Sequence, residues 1–258
     1  GYGAIIGTLL QVQMASGTVL FPPGADVIGA HAGTMVFSYL ILMGMGLVEW
    51  RVKRNPGLPI AGVVQVVALF AGGALLALVS LFAPDLLQAL GGVYLLLELV
   101  AVVLFAVRVL PAAVRVDWTG DATARHLGTS AVFVVVATLI FLYVVMQFVS
   151  DPTVGFASLA GILVASDHSA FIGVVSNLVF ALALTLTADR RDGGSAGEWA
   201  AWGLMNVGLV VFAARLIIDT AILKQIGAPS MGVGLLVGLA LIALRLRASD
   251  LRPAEAAA

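Results

Sequence analysis

Residues 127–149 read LGTSAVFVVVATLIFLYVVMQFV, 23 positions without one charged side chain, flanked by Arg125-His126 and by Asp151-Pro152. A helix of that length extends ~34 Å, enough to cross the ~30 Å hydrocarbon layer of a bilayer. Seven more apolar stretches lie on either side of it, at 4–20, 28–49, 59–83, 86–109, 166–187, 199–222 and 230–246. The whole chain has the same character. Of its 258 residues 61% are hydrophobic and 10% are Asp, Glu, Lys or Arg, with a mean hydropathy of +1.11. Soluble domains carry about 25% charge, so a soluble fold is excluded and an all-α polytopic membrane bundle of about eight spans is expected. The absence of Cys removes disulfide scaffolds, thiol catalysis and Cys-ligated zinc or iron–sulfur clusters.

The first stretch begins almost at residue 1, as a signal peptide would. No basic segment precedes it and Gln11 and Gln13 interrupt it, so it reads as a retained span whose initiator region lies outside this numbering. An even number of spans puts both termini on one side. In that arrangement Arg51, Lys53, Arg54, Arg108, Arg115, Arg125, Arg190, Arg191, Arg245, Arg247 and Arg252 all fall on a single face, and only Arg215 and Lys224 do not. Basic residues in short loops mark the cytoplasmic side, which predicts a cell-membrane protein with both termini cytoplasmic. The opposite connections carry Asp26, Asp85, Asp151 and Asp167.

The two halves share a plan. A span ends at Phe21-Pro22-Pro23, the next opens with His31 and closes on Arg51-Val52-Lys53-Arg54; later a span ends at Asp151-Pro152, the next opens with His168 and closes on Arg190-Arg191. Two parallel four-helix repeats are therefore expected, 1–115 and 122–248, with 249–258 as a cytoplasmic tail. The segment 152–165 has no counterpart of equal length and is expected at the external interface.

His31 and His168 hold the same position in these repeats, near the external ends of the second and sixth spans, while His126 opens the fifth span at the cytoplasmic face. Opposite faces are ~30 Å apart, so His126 cannot share a ligand with the others and is expected to be interfacial. Two imidazoles facing each other across a bundle axis are the ligand set of a low-spin haem. The other reading, two histidines hydrogen-bonding at the water interface, stays open.

The segment Ala30-His31-Ala32-Gly33-Thr34-Met35-Val36-Phe37 resembles the second helix of subunit I of haem–copper oxidases and nitric oxide reductases. The resemblance covers about 40 N-terminal residues and implies that His31 is an axial ligand of haem b, with Gly33 part of the same site. His168 would oppose it by repeat position. The family's catalytic centre needs further histidines for a second haem and copper, and this chain has none to spare on that side. The resemblance thus implies electron transfer in a respiratory chain, with quinol or a redox protein as external partner, and not a complete oxidase.

Ionisable residues inside spans are costly and are functional candidates. Glu98 lies mid-span in Tyr94-Leu95-Leu96-Leu97-Glu98 and suits a proton relay or a quinone contact. Arg215 and Asp219 are four apart, on one helical face, where they can pair; at the depth expected for a haem, Arg215 would meet its propionates and Asp219 would join the relay. Met43, Gly44, Met45 and Gly46 would let a helix or a macrocycle approach closely, and Asn177 and Asn206 suit interhelical hydrogen bonds. An Asp219–Lys224 counter-ion and Schiff-base pair is disfavoured by its spacing of five. No phosphate loop, HExxH, nucleophile elbow or nucleic-acid module is present. Three functions follow: b-type haem electron transfer first, then a cofactor-free transporter using Glu98, Arg215 and Asp219, then a structural subunit of an oligomer or larger membrane complex.

Overall fold

The computed structural model describes residues 2–53, 57–83, 86–151, 153–154, 156–187, 195–218 and 221–248. Asp85, Arg54, Arg190, Arg191, Asp219, Arg252 and the tail 249–258 lie outside the described residues, as do the side chains of Lys224 and Arg247. All regular structure among them is helical: α1 (Tyr2–Ser16), α2 (Val27–Val52), α3 (Pro59–Phe82), α4 (Leu87–Arg108), α5 (Ala122–Ser150), α6 (Phe156–His168 continuing through Ser169–Ser176 into Asn177–Leu186), α7 (Ala196–Ile218) and α8 (Ala221–Ala248), with a short turn at Leu110–Ala113.

Seven of these, α2 to α8, are long and apolar enough to cross a bilayer. The eighth expected span is shorter than its apolar stretch. α1 has 15 residues, ~22 Å, and stops where Gly17 takes φ +69 and its N–H caps the Gln13 carbonyl. The other ends are also set by local chemistry. Asp26 accepts the Gly29 N–H at the start of α2, and Asp121 accepts the Ala124 N–H at the start of α5. Ser195 and Glu198 bond each other's backbone N–H reciprocally at the start of α7.

One boundary overturns an expectation. Residues 156–165 are not a surface segment, because α6 begins at Phe156 and runs unbroken to Leu186. Nothing after Pro152 breaks the helix, and the small residues there allow close packing, with Gly161 against the Leu216 carbonyl of α7.

Each helix packs on its neighbours in sequence, and the halves are joined where α5 lies against α4 and α2 and where α2 meets α6. The boundary expected near 115–122 falls in the loop before α5. At the centre Phe37 stacks on Phe141 with centroids 3.6 Å apart, and Gly44 faces Val134 and Val174. α7 and α8 approach backbone to backbone at Gly208, Gly227 and Gly234. Both α2 and α6 carry a π-helical stretch, Thr34–Leu40 and Ser169–Ser176. Such widened turns recur at functional sites.

Arginines gather at one end of the bundle. Arg108 bonds Glu49 at 2.6 Å and Gln65 at 2.8 Å, Arg51 donates to Thr185 at 2.8 Å, and Arg245 pairs with Glu198. There the loop residue Asp117 accepts the N–H groups of Gly120 and Thr119, which hold its carboxyl below the usual range. At the opposite end the backbone and hydroxyl of Thr153 do the same for Asp151, the hydroxyl most.

Candidate functional site

Glu98 sits halfway along α4 and is fully buried. Its carboxyl faces α3 at Gly72, where a side chain would stand 3.1 Å from Oε1. Tyr94, one turn earlier on the same face, brings its buried hydroxyl to the carboxyl without a well-aligned hydrogen bond. The next glycine, Gly73, makes room for the Ser38 hydroxyl from the π stretch of α2 and the Tyr2 hydroxyl from α1. Tyr2 donates to the Phe70 carbonyl at 3.1 Å, which leaves the Ser38 Oγ beside it without a formed bond.

Three helices, α1, α2 and α4, thus deliver three hydroxyls and one carboxyl to one level of the bundle, against the glycines of α3. No Lys or Arg among the described residues bears on Glu98. Four of its buried oxygens, Ser38 Oγ, Tyr94 Oη and both of Glu98, lack partners. Buried polar atoms are nearly always satisfied, so a group of oxygens without partners inside the protein is a candidate functional site. The sequence singled out Glu98 alone. Tyr94 was legible from its spacing of four, and the Gly72-Gly73 pair signalled close approach, but Ser38 and Tyr2 lie about sixty and a hundred residues away and carry no sequence signal.

The structure does not bring His31 and His168 face to face. The His31 ring turns to α1, where its Nδ1 donates to the Gly3 carbonyl at 2.9 Å and its edge lies on Gly7. The His168 ring turns to α7, 4.9 Å from the Phe212 ring, with its Nδ1 donating to the Val164 carbonyl at 2.9 Å. Nor does His168 lie at a span end: two residues before it, Ser166 donates to the Ala137 carbonyl at the middle of α5. The early start of α6 moves it inward.

In both rings Nδ1 is taken up by a backbone carbonyl and Nε2 is left for another partner. Their directions, one toward α1 and the other toward α7, do not frame one macrocycle. One haem shared by His31 and His168 does not fit this arrangement. Gly33 serves helix packing, against Leu76 and Phe141. Arg215 is half-buried on α7, and its expected partner Asp219 lies outside the described residues.

His126 corrects a further expectation. It is 4% exposed, not interfacial. Its Nδ1 donates to Asn177 at 2.7 Å, and Asn177 donates to Asn206 at 2.8 Å and to the Gly173 and Ile172 carbonyls of the π stretch. Trp202 completes the set by donating to Thr129. The two asparagines do bond between helices as their positions suggested. This network is fully partnered at Asn177 and reads as a structural clamp of α5, α6 and α7.

Among the described residues no three His, Asp or Glu side chains come together as a metal group. The chain matches no protein-family model, no curated protein and no solved structure. Fold and site together define an all-helical, multi-pass membrane protein with a carboxyl buried at mid-depth.

Proposed function

We propose that the protein is a membrane transporter that moves or couples protons, with Glu98 as the proton-carrying group. The observation that carries this reading is the fully buried Glu98 carboxyl, without a cation, among hydroxyls from three helices. In hydrocarbon an unpaired carboxylate costs several kcal/mol, so Glu98 rests as the neutral acid and can hold and release one proton. The hydroxyl of Tyr94 stands beside it and can donate a hydrogen bond to the carboxylate once the proton has left. Electron transfer through a shared haem is not favoured, because the two imidazoles point to different helices.

The same reading places the arginine-rich end in the cytoplasm, by the charge rule for short loops. The paired π stretches of α2 and α6, each near a His of corresponding sequence position, support two related four-helix units.

The test is proton flux in proteoliposomes holding a trapped pH-sensitive dye, driven by a potassium-diffusion potential. Glu98→Gln keeps the shape and removes the titrating proton, and should abolish flux. Flux at the wild-type rate in that variant would overturn the proposal.

A further inference from the structure

On α2, His31, Thr34 and Ser38 are spaced three and four apart and form one stripe. It faces α1, and the facing residues of α1 are glycines. A side chain at Gly7 would overlap the His31 ring, and one at Gly3 would stand 2.8 Å from the Thr34 Oγ1. The stripe ends at Ser38, whose unpartnered Oγ shares the space over Gly73 with the Tyr2 hydroxyl. Beyond it, over the adjacent Gly72, is the Glu98 carboxyl. The stripe starts at His31, partly buried at the arginine-poor end, while Thr34 and Ser38 are buried at 1% and 4% exposure.

We infer that the α1–α2 seam is the proton entry path of Glu98, running from His31 at the arginine-poor end through Thr34, Ser38 and Tyr2. This rests on the reading of Glu98 as the proton carrier and names the side from which it is loaded. The proton balance is simple. His31 holds one proton on Nδ1, donated to the Gly3 carbonyl, and takes a second from the aqueous phase on the Nε2 lone pair. It passes that proton inward and returns to the same neutral tautomer. At rest Thr34 donates to the Ala30 carbonyl and Tyr2 to the Phe70 carbonyl; turned along the seam, Thr34, Ser38 and Tyr2 each take one proton and give one, with no net change. Glu98 is the acceptor at the inner end: it is reloaded by this path each time it has released its resting proton and stands as the carboxylate. Successive groups on one helix face are ~5–6 Å apart, the span of a single bridging water.

Three other features of the fold bear on the choice. The buried Arg125, stacked 3.8 Å over the Trp199 ring, has compensating aspartates at Asp121 and Asp117. The apolar groove of α7 and α8 at Gly203 and Ile226 is what any lipid-facing surface offers. The His126 clamp is closed by its own hydrogen bonds. Of these features, among the described residues, the α1–α2 stripe is the one that ends at buried oxygens without a formed hydrogen bond.

The experiment is the same dye-loaded proteoliposome with His31→Ala, Thr34→Val, Ser38→Ala and Glu98→Gln, each first shown to be monodisperse in detergent. Loss of a relay group should slow flux at least about tenfold in His31→Ala and in Ser38→Ala. Imidazole added on the His31 side should restore flux in His31→Ala, and should leave Ser38→Ala slow. A merely structural role for His31 would not respond to free imidazole, so failure of that rescue overturns the entry path. Wild-type flux in both His31→Ala and Ser38→Ala, with flux lost in Glu98→Gln, overturns the path and leaves Glu98 as carrier. Wild-type flux in Glu98→Gln overturns the carrier itself.

Discussion

The Glu98 carboxyl lies over Gly72 of the adjacent helix, 3.1 Å from where a β-carbon would stand. A methyl group there makes the carboxyl shift by a few tenths of an ångström. Gly72→Ala should therefore reduce Glu98-dependent proton flux while the protein still assembles. Gly92, on the same helix as Glu98, faces open space, so Gly92→Ala should keep wild-type flux and stabilise α4 by about 0.5–1 kcal/mol. Paired flux and thermal-melting measurements check this; equal flux in both variants would show that the carboxyl does not depend on its seat.

Arg108 joins Glu49 and Gln65 at the arginine-rich end and is 5% exposed. Removing the guanidinium strands the Glu49 carboxylate in a partly buried place. Arg108→Met should destabilise by about 3 kcal/mol, and Arg108→Met with Glu49→Gln should be milder. Thermal denaturation in detergent measures both, and a double variant no better than the single one would refute the coupling.

Asn177 donates to two carbonyls of the π stretch and to Asn206, and accepts from His126. Asn177→Leu leaves several buried polar groups unpaired and should cost about 2–3 kcal/mol or more. His126→Gln, which can still donate one hydrogen bond, should cost less. The order of the two melting temperatures is the readout.

The sidedness can be read by thiol labelling, because the chain has no Cys of its own. Thr119 and Thr153 lie in loops at opposite ends. An impermeant maleimide applied to intact cells should label Thr153→Cys and spare Thr119→Cys. The reverse pattern would invert the orientation.

Purified protein, oxidised and dithionite-reduced, should show no Soret band, since His31 and His168 are turned to α1 and α7. A low-spin haem spectrum lost on replacing either histidine would restore the ligand pair and require a rearranged α2–α6 seam.

Much was determined by the residues alone. Hydrocarbon demands apolar side chains and internally bonded backbone, so runs such as 127–149 declare helices that cross or lie within a bilayer, and the clustering of Arg51, Arg108, Arg125 and Arg245 at one end follows from counting spans. Glu98 was visible because a charge-bearing residue in such a run has no cheap explanation. Hydropathy is blind, however, to the rotation of a helix about its own axis. That rotation decided that His31 meets α1, that His168 meets α7, and that His126 is sealed against Asn177. It is set by packing, at Gly3, Gly7, Gly72 and Gly73 above all, where a missing side chain lets one helix take the imprint of another. Ser38, Tyr2 and Glu98 are distant in the chain and share a site only because those glycines let three helices close around it.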